Sequence, residues 1–167
     1  MIRRCVNGDR ATIAAIINEA AIVYRGAIPG DCWHEPYMSC EALDREIAAG
    51  VEFWGLEDDG ALSGVMGLQD VRDVTLIRHA YVRRSRQRGG VGGALMQALM
   101  ERARAPLLVG TWAAATWAIR FYEKHGFRLA AAGEKDRLLD TYWMIPPRQR
   151  DASVVLVRRA TERCGSP

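Results

Sequence analysis

The sequence predicts an α/β (α+β) domain of about six to seven strands and about four helices, and three observations carry that reading. Two apolar runs, Val51 to Leu56 and Ala61 to Leu68, flank Glu57-Asp58-Asp59-Gly60, whose Asp-Gly pair is a hairpin signal. A third run, Val74 to Val82, follows Arg72-Asp73, so an antiparallel meander is expected. The meander leads into a glycine-rich turn and an amphipathic helix, a strand–turn–helix unit, and a second amphipathic helix downstream closes on Gly126 at a C′ position.

The bulk numbers agree with one domain. The chain has 167 residues, 49% of them hydrophobic and 26% charged, which is ordinary globular usage. Residues 1–158 are expected to form that domain and 159–167 a loose C-terminal tail. A formal net charge of +3 is too small to argue for nucleic acid, and no apolar run is long enough for a signal peptide or a membrane span, so a cytoplasmic protein is expected. Cys5, Cys32, Cys40 and Cys164 show no C-x-x-C spacing and do not cluster with the three histidines, so free thiols and no metal are expected.

Taken in order, Ile2 to Val6 reads as a first strand, and Asp9 as the N-cap of a helix with Ile13, Ile16, Ile17 and Ala20 at helical spacing. Tyr24 to Met38 mixes Gly26, Pro29, Gly30 and Pro36 with aromatic residues and reads as a structured loop, after which Ser39 caps a helix over Glu41 to Ala49. Beyond the meander and the glycine turn, Val91, Leu95, Ala98 and Leu99 mark a helix that stops at Ala105-Pro106. Leu107 to Gly110 reads as a buried strand, Ala113 to His125 as a helix with Trp117 and Phe121 in the core, and Phe127 to Ala131 and Ser153 to Val157 as closing strands. A short helix through Leu138 and Leu139 precedes Pro146-Pro147.

The chemistry centres on Gln87-Arg88-Gly89-Gly90-Val91-Gly92. Glycines at a strand end permit a tight turn, and the first amides of the following helix lack intrahelical acceptors and carry the positive end of its dipole. Such a turn binds a phosphorylated ligand, and Arg83, Arg84, Arg86 and Arg88 suit phosphate oxygens. Gly92-Gly93-Ala94 lacks the Lys-Ser/Thr of a P-loop, and Gly90-Val91-Gly92 follows a meander where a dinucleotide fold would place an early βαβ unit.

Gln87-x-x-Gly90-x-Gly92 followed by Ala94-Leu95 resembles the acyl-CoA-binding motif of the GNAT superfamily of N-acetyltransferases, and Ala118-Ile119-Arg120-Phe121-Tyr122-Glu123-Lys124-His125-Gly126-Phe127 resembles that family's next helix-to-strand segment. The resemblance covers roughly residues 1–158 and implies a GNAT-like mixed, mostly antiparallel central sheet. It also implies acetyl-CoA as co-substrate, with Ala80, Tyr81 and Val82 pairing with the pantetheine amides and Gln87, Arg88, Gly89, Gly90, Val91 and Gly92 holding the pyrophosphate. Tyr122 aligns with the family's tyrosine, which protonates the leaving thiolate. Many relatives carry a cofactor-binding asparagine seven residues earlier; here that position is Ala115, so the contact is absent or falls to Thr111 or Thr116.

An alkylamine with a pKa near 10 is only about 0.1% neutral at pH 7, so N-acylation calls for a base. His79, three residues before Val82 on the strand where relatives often place an acid, is the first candidate, with Arg78 facing the opposite side unless a bulge shifts the phase. Glu19, Asp31, His34 and Glu35 are alternative bases or substrate contacts, and Tyr24, Trp33 and Tyr37 suggest a partly aromatic acceptor pocket, whereas Trp54, Trp112 and Trp143 carry no specific signal. The expected activity is direct acetyl transfer to a primary amine, on a small molecule or a peptide, with neither nucleic acid nor membrane as partner. A homodimer through strand edges or the C-terminal segment stays open. The rival readings are a non-catalytic acyl-CoA-binding or sensor domain and a nucleotide-binding module.

Overall fold

Among the described residues, seven strands form a single open sheet in the order β1-β2-β3-β4-β5-β7-β6, and only the β4–β5 pair is parallel. The computed structural model describes residues 1–103 and 106–159, so residues 160–167 of the expected tail, Cys164 among them, and the Ala105 stop lie outside the described residues. Elements run β1 (Ile2–Arg4), α1 (Arg10–Ala21), α2 (Cys40–Ala48), β2 (Glu52–Asp58), β3 (Ala61–Val71), β4 (Val74–Val82) and α3 (Val91–Arg102). They continue with β5 (Leu107–Trp112), α4 (Thr116–Lys124), β6 (Arg128–Leu129), α5 (Ala132–Tyr142), α6 (Pro147–Asp151) and β7 (Ser153–Arg158). The mixed, mostly antiparallel sheet flanked by helices is the expected class, with α6 as an added turn of helix entered through Pro147 at its first position.

The meander forms as its turns dictate. Asp59 and Gly60 both take positive φ, 51° and 75°, the signature of the two-residue turn that matches strand twist, and β2 and β3 pair from Asp58 and Ala61 onward. Period-two alternation then sorts the side chains. Trp54, Leu56, Met66, Ile77, Val109 and Leu156 turn to one face, where α3 and α4 cover them with Leu95, Met96, Leu99 and Tyr122. On the other face Phe53, Leu62 and Val65 pack under α1 and α2, and Leu76, Leu108 and Val155 pack under α5.

Caps follow expectation at one helix and depart from it at another. Ser39 accepts a hydrogen bond from the Ala42 N–H at 3.1 Å and starts α2. Asp9 does not cap α1 with its side chain: it accepts the Val6 N–H at 2.7 Å and a bidentate Arg3 at 2.8 and 3.0 Å, tying β1 to α1. Asn18 of α1 donates to the Met38 carbonyl and accepts the Met38 N–H, both at 2.8 Å, so the Tyr24–Met38 loop is pinned along α1. That bond pair sets where Tyr37 stands. Cys5, Cys32 and Cys40 are free thiols. Among the described residues no helix is long and apolar enough to cross a membrane.

Candidate functional site

The site begins as a failure of two strands to stay together. β4 and β5 pair in parallel only through Thr75, Leu76 and Ile77 against Leu107, Leu108 and Val109. Beyond Ile77, β4 carries a bulge: His79 and Ala80 together oppose Met66 of β3, and His79 takes φ 48°. The bulge bends β4 away, leaving the Ala80-Tyr81-Val82 edge without a strand on its β5 side. A cleft of ≈ 710 Å³ opens there through the sheet.

At one end stands the glycine turn. Arg88 and Gly90 take positive φ, 64° and 82°, and a side chain at Gly90 would meet nothing within 4 Å, so its glycine serves backbone conformation rather than space. Among the described residues, the N–H groups of Gly90, Val91, Gly92 and Gly93 have no backbone acceptor, while Ala94 N–H already bonds to Gly90 O at 2.9 Å. Those amides and the dipole of the 12-residue α3 form an anion cradle that opens into the cleft. Gly64 lets α3 approach this closely, since a Cβ there would lie 2.8 Å from Val91 Cγ1. Gln87 braces the turn, its side-chain amide donating to Val82 O at 3.2 Å.

Not all the expected groups face the ligand space. Gly89 does not line the cleft; its N–H is directed to Arg86 O at 3.4 Å. Arg83 pairs with Glu19 at 3.0 Å and donates to Leu62 O, and Arg86 pairs with Asp58 at 3.2 Å, so only Arg84 and Arg88 of the four arginines have no carboxylate partner among the described residues. Glu19 also accepts the Arg84 N–H at 2.8 Å, which makes it a brace for the turn rather than a base. Asp31 and Glu35 are likewise committed, to Arg148 at 2.9 Å and Arg25 at 3.4 Å, and His34 stacks on Tyr37. None of the four lines the cleft.

At the opposite end the wall is made of side chains. Tyr24, Tyr37 and Tyr81 gather around Trp112, whose Nε1–H donates to Tyr37 Oη at 3.0 Å. Burial, chiefly, pushes the Tyr24 hydroxyl up to about 12, with Tyr37 adding and hydrogen bonds to Tyr81 and Thr111 opposing, and it raises Tyr81 well above 10 with Tyr24 and Tyr37 adding, so the cluster is neutral and donates hydrogen bonds. Trp143 lies over Gly110, where an added Cβ would come within 3.5 Å of the indole. Sequence reasoning passed over Trp112 and Trp143 because apolar spacing cannot tell a core tryptophan from a wall one.

Arg78 and His79, expected on opposite faces, reach the same carboxylate because the bulge breaks alternation. Glu46 Oε2 on α2 lies 2.6 Å from an Arg78 guanidinium nitrogen and 3.0 Å from His79 Nε2. The His79 contact is close but off the N–H axis, so it is an ion-pair distance without an aligned hydrogen bond. Burial alone raises the Glu46 carboxyl, yet His79, Arg78 and Arg45 together hold it below its usual value. Glu46, on a helix 32 residues before Arg78, had no sequence signal.

Tyr122 rises into the cleft from α4, on the opposite side of the sheet from His79. Its residue is 6% exposed, its hydroxyl has no protein partner among the described residues, and burial raises its pKa far above 10, with Tyr24 adding to the shift. The site thus brings together Tyr122, His79, Ala80, Tyr81, Val82 and the turn residues except Gly89. Ala115 is fully buried beneath α4 and offers no side-chain contact, while Thr111 lines the cleft and Thr116 does not. Trp117, expected in the core, is 43% exposed and stacks on Tyr24 at 5.9 Å. Among the described residues no group of His, Cys, Asp and Glu could hold a metal ion.

Residues 18–127 match the model of the Acetyltransferase (GNAT) family. The solved structure of a ribosomal-protein-alanine N-acetyltransferase from Brucella melitensis superposes with a TM-score of 0.66 at 20% identity, over 96% of this chain and 99% of that one. PaiA N-acetyltransferase from Thermoplasma acidophilum, in complex with coenzyme A, gives 0.70 at 17%, over 96% and 98%. N-acetylglutamate synthase from Neisseria gonorrhoeae, complexed with coenzyme A and N-acetyl-glutamate, gives 0.64 at 26%, over 95% of this chain and 34% of that one. No curated protein matches the chain in sequence. The family model spans well over half of the chain, which therefore belongs to the GNAT family of acetyltransferases.

Proposed function

We propose that residues 1–158 act as one domain that transfers an acetyl group from acetyl-CoA to a primary amine by direct attack, without a covalent enzyme intermediate. The observation that carries this reading is the cleft itself: unsatisfied amides of Gly90 to Gly93 at one end, the unpaired β4 edge along its side, and Tyr122 and His79 in its lining. Structural neighbours that hold coenzyme A or acetyl-CoA, from Thermoplasma acidophilum and Salmonella typhimurium, support the choice of donor.

In this reading the coenzyme's diphosphate sits on the amides of Val91 and Gly92, and its pantetheine arm adds to β4 as a further strand through Ala80, Tyr81 and Val82. His79 takes the proton of the incoming ammonium, and Glu46 stabilises the imidazolium that results. The amine lone pair then forms a C–N bond to the thioester carbonyl carbon, the carbonyl π pair moves to oxygen, and its return breaks the C–S bond and expels the thiolate, while the second proton of the attacking nitrogen passes through solvent to restore the Tyr122 hydroxyl. Tyr122 holds its proton tightly, so it hydrogen-bonds the developing thiolate throughout and gives up the proton late.

Thiol release measured with acetyl-CoA and a panel of amines tests the assignment. Amine-dependent release with stoichiometric N-acetylation is expected. Intact acetyl-CoA binding without turnover of any amine would leave a sensor domain in its place.

A further inference from the structure

We infer that the acceptor is a primary amine on an uncharged aromatic skeleton, an inference that rests on the proposed acetyl transfer and specifies its second substrate. Its ground is the chemistry of the cleft wall built by α1, the loop after it, β5 and the segment after α5. That wall is aromatic: Tyr24, Tyr37, Trp112 and Trp143 line it, with Ile145 beside them. Broad, rigid faces of this kind reward a flat apolar ligand with buried area and edge-to-face contacts.

The charges define what the wall excludes. Among the described residues no Asp or Glu lines the cleft. A polyamine or an aminoglycoside would bring further ammonium groups to a pocket with no anion to receive them. Of the cations that line it, Arg86 and Arg88 belong to the turn and Lys124 to the end of α4, which leaves Arg78 alone beside the aromatic wall.

Arg78 is committed twice: it donates to Gln69 Oε1 and to Glu46 Oε2, each at 2.6 Å. Gln69 is itself fixed, since its amide nitrogen donates to Ala49 O at 2.9 Å. Glu46 therefore cancels the charge that a substrate carboxylate would seek, and an amino acid would have to break a partly buried ion pair to gain one. The absence of a lining carboxylate also matters for reactivity. A bound ammonium would lose water without gaining a counter-ion, so the pocket favours the neutral, nucleophilic form of the amine.

The test compares kcat/KM for 2-phenylethylamine, phenylalanine and spermidine at saturating acetyl-CoA, in the wild type and in Trp143→Leu. Phenylalanine is the first amine with a carboxylate added, and spermidine has the amines without the ring. Expected is a preference for 2-phenylethylamine of about 10²-fold or more over both others. Trp143→Leu is expected to raise KM for 2-phenylethylamine about tenfold with kcat and the Kd for coenzyme A held within about twofold, the latter also showing that the variant is folded. A preference for phenylalanine or spermidine would overturn the inference while leaving acetyl transfer standing. Failure of all three amines, with acetyl-CoA still bound, would remove the transfer reading and this inference with it.

Discussion

The two ends of the cleft are built from different materials. The cradle end is backbone: four amides and two residues at positive φ between Gln87 and Gly93, at the positive end of the α3 dipole. The aromatic end is side chains brought from α1, the loop after it, β4, β5 and the segment after α5. A diphosphate, which is the same in any coenzyme A, can be met by peptide groups. A part that differs between relatives has to be met by side chains, which can change one at a time without disturbing the strands that carry them.

The sharpest way to separate the two ends is at their junction. Tyr122→Phe removes one hydroxyl and leaves the ring that packs on Phe127, so kcat is expected to fall about 10³-fold while the Kd for coenzyme A changes less than about twofold. Stopped-flow thiol release beside calorimetric titration reads both. Equal loss in both quantities would mean that Tyr122 serves only to shape the cleft.

A smaller effect is expected at the aromatic end. His79→Asn keeps a residue that tolerates φ 48° and removes the imidazole, so kcat/KM for the amine should drop about 10²-fold at pH 7 and the shape of its pH–rate profile should change. A pH–rate profile identical in shape to the wild type's would assign the base elsewhere.

At the cradle the change should appear in binding. Gly90→Ala meets open space, but φ 82° costs an L-residue about 1–2 kcal/mol, so the Kd for coenzyme A should rise about tenfold with kcat at saturation preserved. If kcat fell instead, the two ends would not be separable.

The least effect on activity is expected outside both ends. Arg3 hydrogen-bonds Asp9 and, against the opposing effect of partial burial, holds its carboxyl below the ordinary value, with help from the Val6 N–H. The folded pKa lies below an unfolded value near 3.9, so this stabilisation is complete above about pH 4 and is lost as pH falls through the folded pKa. Asp9→Asn is expected to cost about 1 kcal/mol at pH 7 and progressively less in acid, with kcat/KM unchanged. Urea unfolding at neutral and acidic pH reads the difference.

The same contrast explains what was legible in the sequence. Asp59-Gly60 announces its turn because only residues tolerant of positive φ stand there, and the Gly90 turn announces itself for the same reason. Local conformation writes itself into local residue types. The bulge at His79 does not, because it exists only in the pairing of β4 with β3, and it moves His79 to the side of Arg78. Glu46 is equally silent, since its role depends on α2 crossing the sheet at that bulge. Asp9 was read as a cap because position favoured it, but Arg3 offered its carboxylate a charged partner. Trp117 has helical spacing suited to the core, yet it stands at the rim beside Tyr24.

A crystal structure with coenzyme A bound tests the central claim most directly. The account predicts the diphosphate on the amides of Val91 and Gly92, the pantetheine arm along Ala80 to Val82, and the sulfur within hydrogen-bond distance of the Tyr122 hydroxyl, with the aromatic wall left empty. A coenzyme whose diphosphate lies away from those amides, or whose sulfur lies beyond reach of Tyr122, would contradict it.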